Sequence, residues 1–132
     1  MIDISSLERA LATLDAALAA HEAAPEDAFI RDACIQRFEY TYELCHRMLR
    51  RFLTASEPAG TEQLSFPTLI RLGHLRGLLA KSWDIWGSFR EARNNTSHAY
   101  DEAKANSVLK ILPEFATEAH FLVAALATRN AE

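Results

Sequence analysis

Glycine and proline are scarce, four of each in 132 residues, which leaves few places for the tight turns that β-hairpins need. Cysteine is scarcer still, with only Cys34 and Cys45. Both fall in one apolar helical run, about three turns apart, so they share a face but stand roughly 16 Å apart along the axis. That separation excludes a disulfide between them. Apart from adjacent His46, neither has a Cys or His at metal-site spacing. Reduced core thiols are expected, in keeping with a cytoplasmic protein. No apolar run approaches the ~18 residues of a membrane span. The acidic start Met1-Ile2-Asp3 lacks the positive and apolar regions of a secretory signal. The expectation is a protein neither secreted by that route nor inserted in a membrane.

Positive charge is also in short supply. Lys and Arg number 14 against 18 Asp and Glu, for a net charge of -4 and a pI near 5.7. A general nucleic-acid binder is usually basic, so the total argues mildly against one. The deficit is uneven, however. From Arg31 to Arg93 there are ten Lys/Arg and seven Asp/Glu, a balance of +3; the remainder holds four against eleven, a balance of -7. Familiar catalytic signatures are missing as well: no His-Glu-x-x-His, no Cys-x-x-Cys, no glycine-rich phosphate loop and no nucleophile elbow. The five histidines, at 21, 46, 74, 98 and 120, are too scattered to read as a ligand set. Neither metal nor cofactor is expected.

What is present reads as helix. Apolar residues make up 49% and charged residues 24%, ordinary for a globular chain, and the length fits one domain over residues 1–132. Ser5-Ser6-Leu7-Glu8 has the form of a capping box, followed by Leu7, Leu11, Leu14 and Leu18 at helical spacing up to about Ala23. Pro25 ends that helix. A second begins near Pro25-Glu26-Asp27, with a stripe of Ile30, Cys34, Phe38, Cys45, Met48, Leu49 and Phe52. Its flanks carry Arg31, Gln36, Arg37, Glu39, Tyr40, Tyr42, Glu43 and His46. Thr54 to Ser65 reads as a loop. A short helix restarts at Ser65-Phe66-Pro67, and Gly73 and Gly77 bracket its end. Ser82 caps the next helix, with Trp83, Trp86 and Phe89 inside it. Asp101 caps a long last helix that Pro113 should kink. The expected architecture is all-α: an antiparallel four-helix up-and-down bundle with an extra short helix and a kinked C-terminal helix.

One stretch departs from this scaffold: Arg93-Asn94-Asn95-Thr96-Ser97-His98-Ala99-Tyr100. Asparagine, serine and threonine are poor helix-interior residues, so the helix should fray or end near His98. A histidine moves protons near neutral pH, and an arginine presents planar donors to a phosphate. Together Arg93 and His98 have the chemistry to cleave an RNA phosphodiester without metal. Geometry sets a condition. Five residues at about 100° each place the two side chains about 140° apart on an intact helix. Either the helix ends and turns His98, or two copies meet and supply complementary groups from a cleft between protomers. A structural reading stands beside this one: Arg93 pairs with Glu39 or Glu43 of the second helix, and His98 sits at a helix C-terminus favoured by the dipole. Arg37, Glu39 and Glu43 are either surface ion-pair residues or the wall that faces the polar stretch.

The pattern Arg-x4-His-x-Tyr, here Arg93 to Tyr100, resembles the signature of HEPN domains. The run Ile35-Gln36-Arg37-Phe38-Glu39-Tyr40-Thr41-Tyr42-Glu43-Leu44 and the segment Ile111-Leu112-Pro113-Glu114-Phe115 resemble one branch, the nucleotidyltransferase substrate-binding protein family. The resemblance spans nearly the whole chain. It implies a helical bundle that dimerises or assembles further, with a minimal nucleotidyltransferase as a separate partner chain. It implies two functions. In one, the protein is the endoribonuclease toxin of a toxin–antitoxin pair, with Arg93 and His98 catalytic, Asn94 supporting them, and Tyr100 receiving AMP from the partner. In the other, the older family name implies a non-catalytic subunit that presents a substrate or nucleotide to the transferase.

Overall fold

A computed structural model describes residues 1–132, and all of its regular structure is helical. Five α-helices follow one another: α1 (Ser5–Ala23), α2 (Ala28–Ser56), α3 (Phe66–Leu75), α4 (Trp83–Asn95) and α5 (Glu102–Ala131). Single 3₁₀ turns lie at Thr61–Gln63 and Thr96–His98. Helices α1, α2, α4 and α5 form the bundle. α1 packs most extensively on α2, and α5 touches α1, α2 and α4. The short α3 sits against α2 and α4. No helix is long and apolar enough to cross a membrane.

The ends of the elements follow local chemistry, with corrections to the sequence reading. Asp27 and Asp101 cap α2 and α5: Asp27 Oδ1 accepts from Phe29 N and Ile30 N, and Asp101 Oδ1 from Ala103 N and Lys104 N. The serines do not act as expected. Ser5 is already helical, with Ile4 at the N-cap and no side-chain cap. Asp3 instead accepts from both Ser5 N and Ser5 Oγ, because a carboxylate just upstream outcompetes a hydroxyl for an orphan N–H. Ser82 occupies the N-cap of α4 but its side chain makes no cap bond. Helix α2 runs to Ser56, past the expected loop start at Thr54. It stops where Glu57, preceding Pro58, is forced into extended backbone at φ -111° and ψ 168°. Gly73 lies within α3, where an added Cβ would come within 3.0–3.3 Å of Leu49 and Leu79 side-chain atoms. Gly77, at φ 79°, makes the left-handed turn that follows.

The core is a cluster of aromatic rings where α2, α4 and α5 meet. Phe115 of α5 packs edge-on to Phe38 at 4.9 Å and to Phe89 at 5.4 Å, and Phe89 meets Trp86 at 5.1 Å. Tyr42, read among the polar flanks of α2, is buried here between Phe38, Phe66, Trp86 and Phe115. Removing the Phe115 ring costs about 4 kcal/mol by the usual cavity arithmetic. Glu118, 3% exposed, is the one carboxylate in this interior. Its Oε1 accepts from Trp86 Nε1 and Lys81 N, both at 3.0 Å, so it locks the turn before α4 onto α5. Both cysteines are free and buried. At the open end, Asn130 clamps the N-terminal segment by accepting from Ile2 N and donating to Ile2 O.

Candidate functional site

The polar stretch leaves α4 opposite the middle of α2. Arg93, in the last turn of α4, reaches across. Its Nε donates to Glu43 Oε1 at 2.9 Å, and its Nη1 lies 3.7 Å from Glu39 Oε2. Glu39 and Glu43 are one turn apart on α2, so they share a face and hold the guanidinium from two sides. Thr96 completes the arrangement. Its buried hydroxyl stands 2.5 Å from Glu39 Oε2 and 2.7 Å from the Arg93 carbonyl. One hydroxyl proton faces two acceptors, and the charged carboxylate is the stronger. A guanidinium carries five N–H donors. Those on Nη2 meet no acceptor in the chain, and the side chain is 32% exposed. Arg93 is thus oriented and keeps one edge free of protein acceptors.

The helix end decides where His98 goes. Helix α4 stops at Asn95, and the chain tightens into the 3₁₀ turn Thr96–His98. The helix thus ends before His98, and the backbone stays in the right-handed helical region through the turn, at φ -62° and ψ -29° for Thr96 and φ -67° and ψ -13° for Ala99. His98 is exposed, and its ring stands edge-on to Tyr100 at 6.1 Å. Three other histidines are engaged elsewhere: His46 with Arg50, His74 with the Leu79 carbonyl, and His120 with Asp15. The fourth, His21, has its Nδ1 buried. Tyr100 is 84% exposed.

Two shallow grooves flank the carboxylate clamp. One, of about 280 Å³, is lined by Arg93, Asn94, Arg90, Glu43, His46, Tyr42 and Phe66. The other, of about 380 Å³, is lined by Tyr100, Thr96 and Glu39 together with Arg31, Asp32, Ile35, Gln36 and Ala99. Glu39 and Thr96 belong to the second and Glu43 and Arg93 to the first, so the ion pairs form the ridge between them. Burial, reinforced by Arg50 and Arg90 and opposed by Glu43, lowers the pKa of His46. Burial also pushes the Tyr42 hydroxyl far above its ordinary range.

The structure brings Arg93, Asn94, Glu39 and Glu43 together, with His98 and Tyr100 on the turn that follows. It does not bring Arg37 there. Arg37 Nη1 donates to the Thr13 carbonyl at 2.9 Å, tying α2 to α1. Arg90, one turn before Arg93 on α4, is not among the residues the sequence points to, and Thr96 is there only as a member of the polar stretch. His46 joins them only through tertiary packing. No three His, Cys, Asp or Glu side chains converge as a metal site.

Residues 2–128 match the family described as nucleotidyltransferase substrate binding protein like. The chain is 34% identical over 108 residues to the probable ribonuclease HepT of Haemophilus influenzae, covering 80% of this chain and 72% of that protein. A Haemophilus influenzae structure, described as the fold of a substrate-binding domain of a nucleotidyltransferase, superposes with a TM-score of 0.87 at 25% identity. That match covers 95% of this chain and 99% of the other. A Thermus thermophilus crystal structure superposes with a TM-score of 0.74 at 33% identity, covering 91% of this chain and 98% of the other. The helical fold, the order of its elements and the match along almost the whole sequence agree: this chain belongs to the nucleotidyltransferase substrate-binding protein-like family.

Proposed function

We propose that this protein is a ribonuclease subunit that works as a homodimer beside a separate nucleotidyltransferase chain, with Arg93 and His98 as its reacting groups. One observation carries the reading: Arg93 is held by Glu39 and Glu43 with its Nη2 edge free, while His98 is exposed and uncommitted on the adjoining turn. The probable ribonuclease among its relatives supports the same choice. In this reading the RNA 2′-hydroxyl attacks the adjacent phosphorus as its proton passes to His98. The new P–O2′ bond forms, the P–O5′ bond breaks, O5′ takes a proton from water, and the hydroxide left behind takes up the proton held by His98. Arg93 stabilises the charge that builds on the phosphoryl oxygens, and Asn94 adds a polar contact beside it. In the same reading Tyr100, exposed and edge-on to His98, accepts AMP from the partner, which would add negative charge beside the histidine and close the site.

The test is cleavage of single-stranded RNA by purified, partner-free protein, with His98→Ala and Arg93→Ala beside wild type. Cleavage by wild type and a loss of at least about 100-fold in each variant supports the reading. An inactive, folded wild type overturns it. The second reading, a non-catalytic subunit presenting a nucleotide to the transferase, is favoured by the double carboxylate on Arg93 and by the likeness to the Haemophilus substrate-binding domain. It predicts that transferase activity, not RNA cleavage, depends on Arg93.

A further inference from the structure

A groove of about 640 Å³ lies next to the Arg93 groove, and its arginines take no part in the chemistry above. It follows the C-terminal half of α2. Its walls are His46, Arg47, Arg50, Arg51 and Thr54, with Ile2 and Glu62 across from them. Glu43 and His46 line both grooves, so the two are direct neighbours.

Its charge is unusual for a chain with a net charge of -4. Arg47 and Arg51 form no ion pair, and neither does Arg90 at the junction, which lies over the Phe66 ring. Arg50 is fixed by the carbonyls of Glu62 and Leu64 and by His46 Nε2, so it keeps its charge while meeting no carboxylate. Of the two acids in the groove, Glu43 is already committed to Arg93. Only the exposed Glu62 opposes this row. His46 is held towards its neutral form by burial first and by Arg50 next, in line with a positive field there. Unpaired arginines at an open groove disfavour an apolar occupant and favour a polyanion. From Glu43 to Thr54 the row covers roughly 16 Å of helix, enough for a few nucleotides of a single strand.

We infer that this groove carries the backbone phosphates of single-stranded RNA flanking the scissile phosphate, with Arg47 and Arg51 as direct phosphate contacts and Arg90 linking them to Arg93. The inference rests on the ribonuclease reading for its scissile phosphate, but its test does not. Binding of a labelled single-stranded RNA of about a dozen nucleotides is measured by fluorescence anisotropy in the His98→Ala protein, between about 50 and 200 mM salt. Arg47→Gln/Arg51→Gln is added to that background, beside Arg9→Gln/Lys110→Gln, which removes the same charge from exposed positions outside the groove. Circular dichroism checks that each variant folds.

The groove variant is expected to bind about tenfold more weakly at the lower salt, and its slope of log K against log salt to fall by about 1.4, the loss of two phosphate contacts. The control is expected to keep the parent slope. Equal slopes in groove variant and parent, or no RNA binding by the parent, would overturn the inference. So would unchanged RNA binding with loss of association with the nucleotidyltransferase chain, which would give the groove to a protein partner. Groove-dependent binding by a wild type that cleaves nothing would sink the ribonuclease reading and leave the groove assignment standing.

Discussion

Arg93 of α4 and Glu43 of α2, fifty residues apart in the chain, are joined by a 2.9 Å hydrogen bond from Nε to Oε1. The bond fixes the plane of the guanidinium and leaves Nη2 free. If Arg93 stabilises a reacting phosphate, its orientation matters as much as its charge. Glu43→Ala is expected to lower kcat for RNA cleavage by about 10- to 100-fold with a smaller effect on KM. Steady-state kinetics check this. An unchanged kcat would mean that Glu43 only balances charge.

Thr96 supports the same pair from below. Thr96→Val removes the hydroxyl that bonds Glu39 while keeping the shape of the side chain. A loss of about 1–2 kcal/mol is expected, read from the urea midpoint at constant m, with Thr96→Ser restoring most of it.

Glu118 gives a sharper stability test. Glu118→Ala leaves the Trp86 indole N–H and the Lys81 amide without their acceptor. Two bonds to a charged acceptor and the cavity left behind make a loss of about 3–4 kcal/mol the expected result in urea denaturation. Glu118→Gln keeps an acceptor oxygen and should lose clearly less. Equal losses would show that volume, not hydrogen bonding, sets the effect.

His46 predicts a pH dependence. Its pKa in the fold lies below the ordinary 6.5 because of burial and the nearby arginines. The unfolded chain therefore binds more protons than the fold in the window just below pH 6.5, so stability rises with pH there. Stability is expected to fall as pH drops from about 6.5 through the lowered folded value, and His46→Asn should flatten that slope. Urea midpoints across the window measure it, and a wild type with no slope there would refute it.

Much of this was legible in order. Asp27, Asp101, Pro25 and the leucine and phenylalanine spacings specify the helices, because caps, breakers and apolar periodicity act over a few residues. The helix end before His98 was also legible, since Asn94, Asn95, Thr96 and Ser97 disfavour helix one residue at a time. The reading went wrong where nearby groups compete. Ser5 lost its capping role to Asp3, and the Ser82 hydroxyl makes no cap bond while Glu118, from a distant helix, takes the neighbouring Lys81 amide.

Local backbone preferences and side-chain type are enough to specify an all-helical chain and a polar turn holding Arg93, His98 and Tyr100. Packing between helices sets the rest: Glu39, Glu43 and Thr96 grip Arg93, Arg37 turns to α1, and arginines 47, 50 and 51 line the neighbouring groove. A helix shows all its faces to the sequence alike, and packing against its neighbours chooses which face is buried, which pairs, and which is left open.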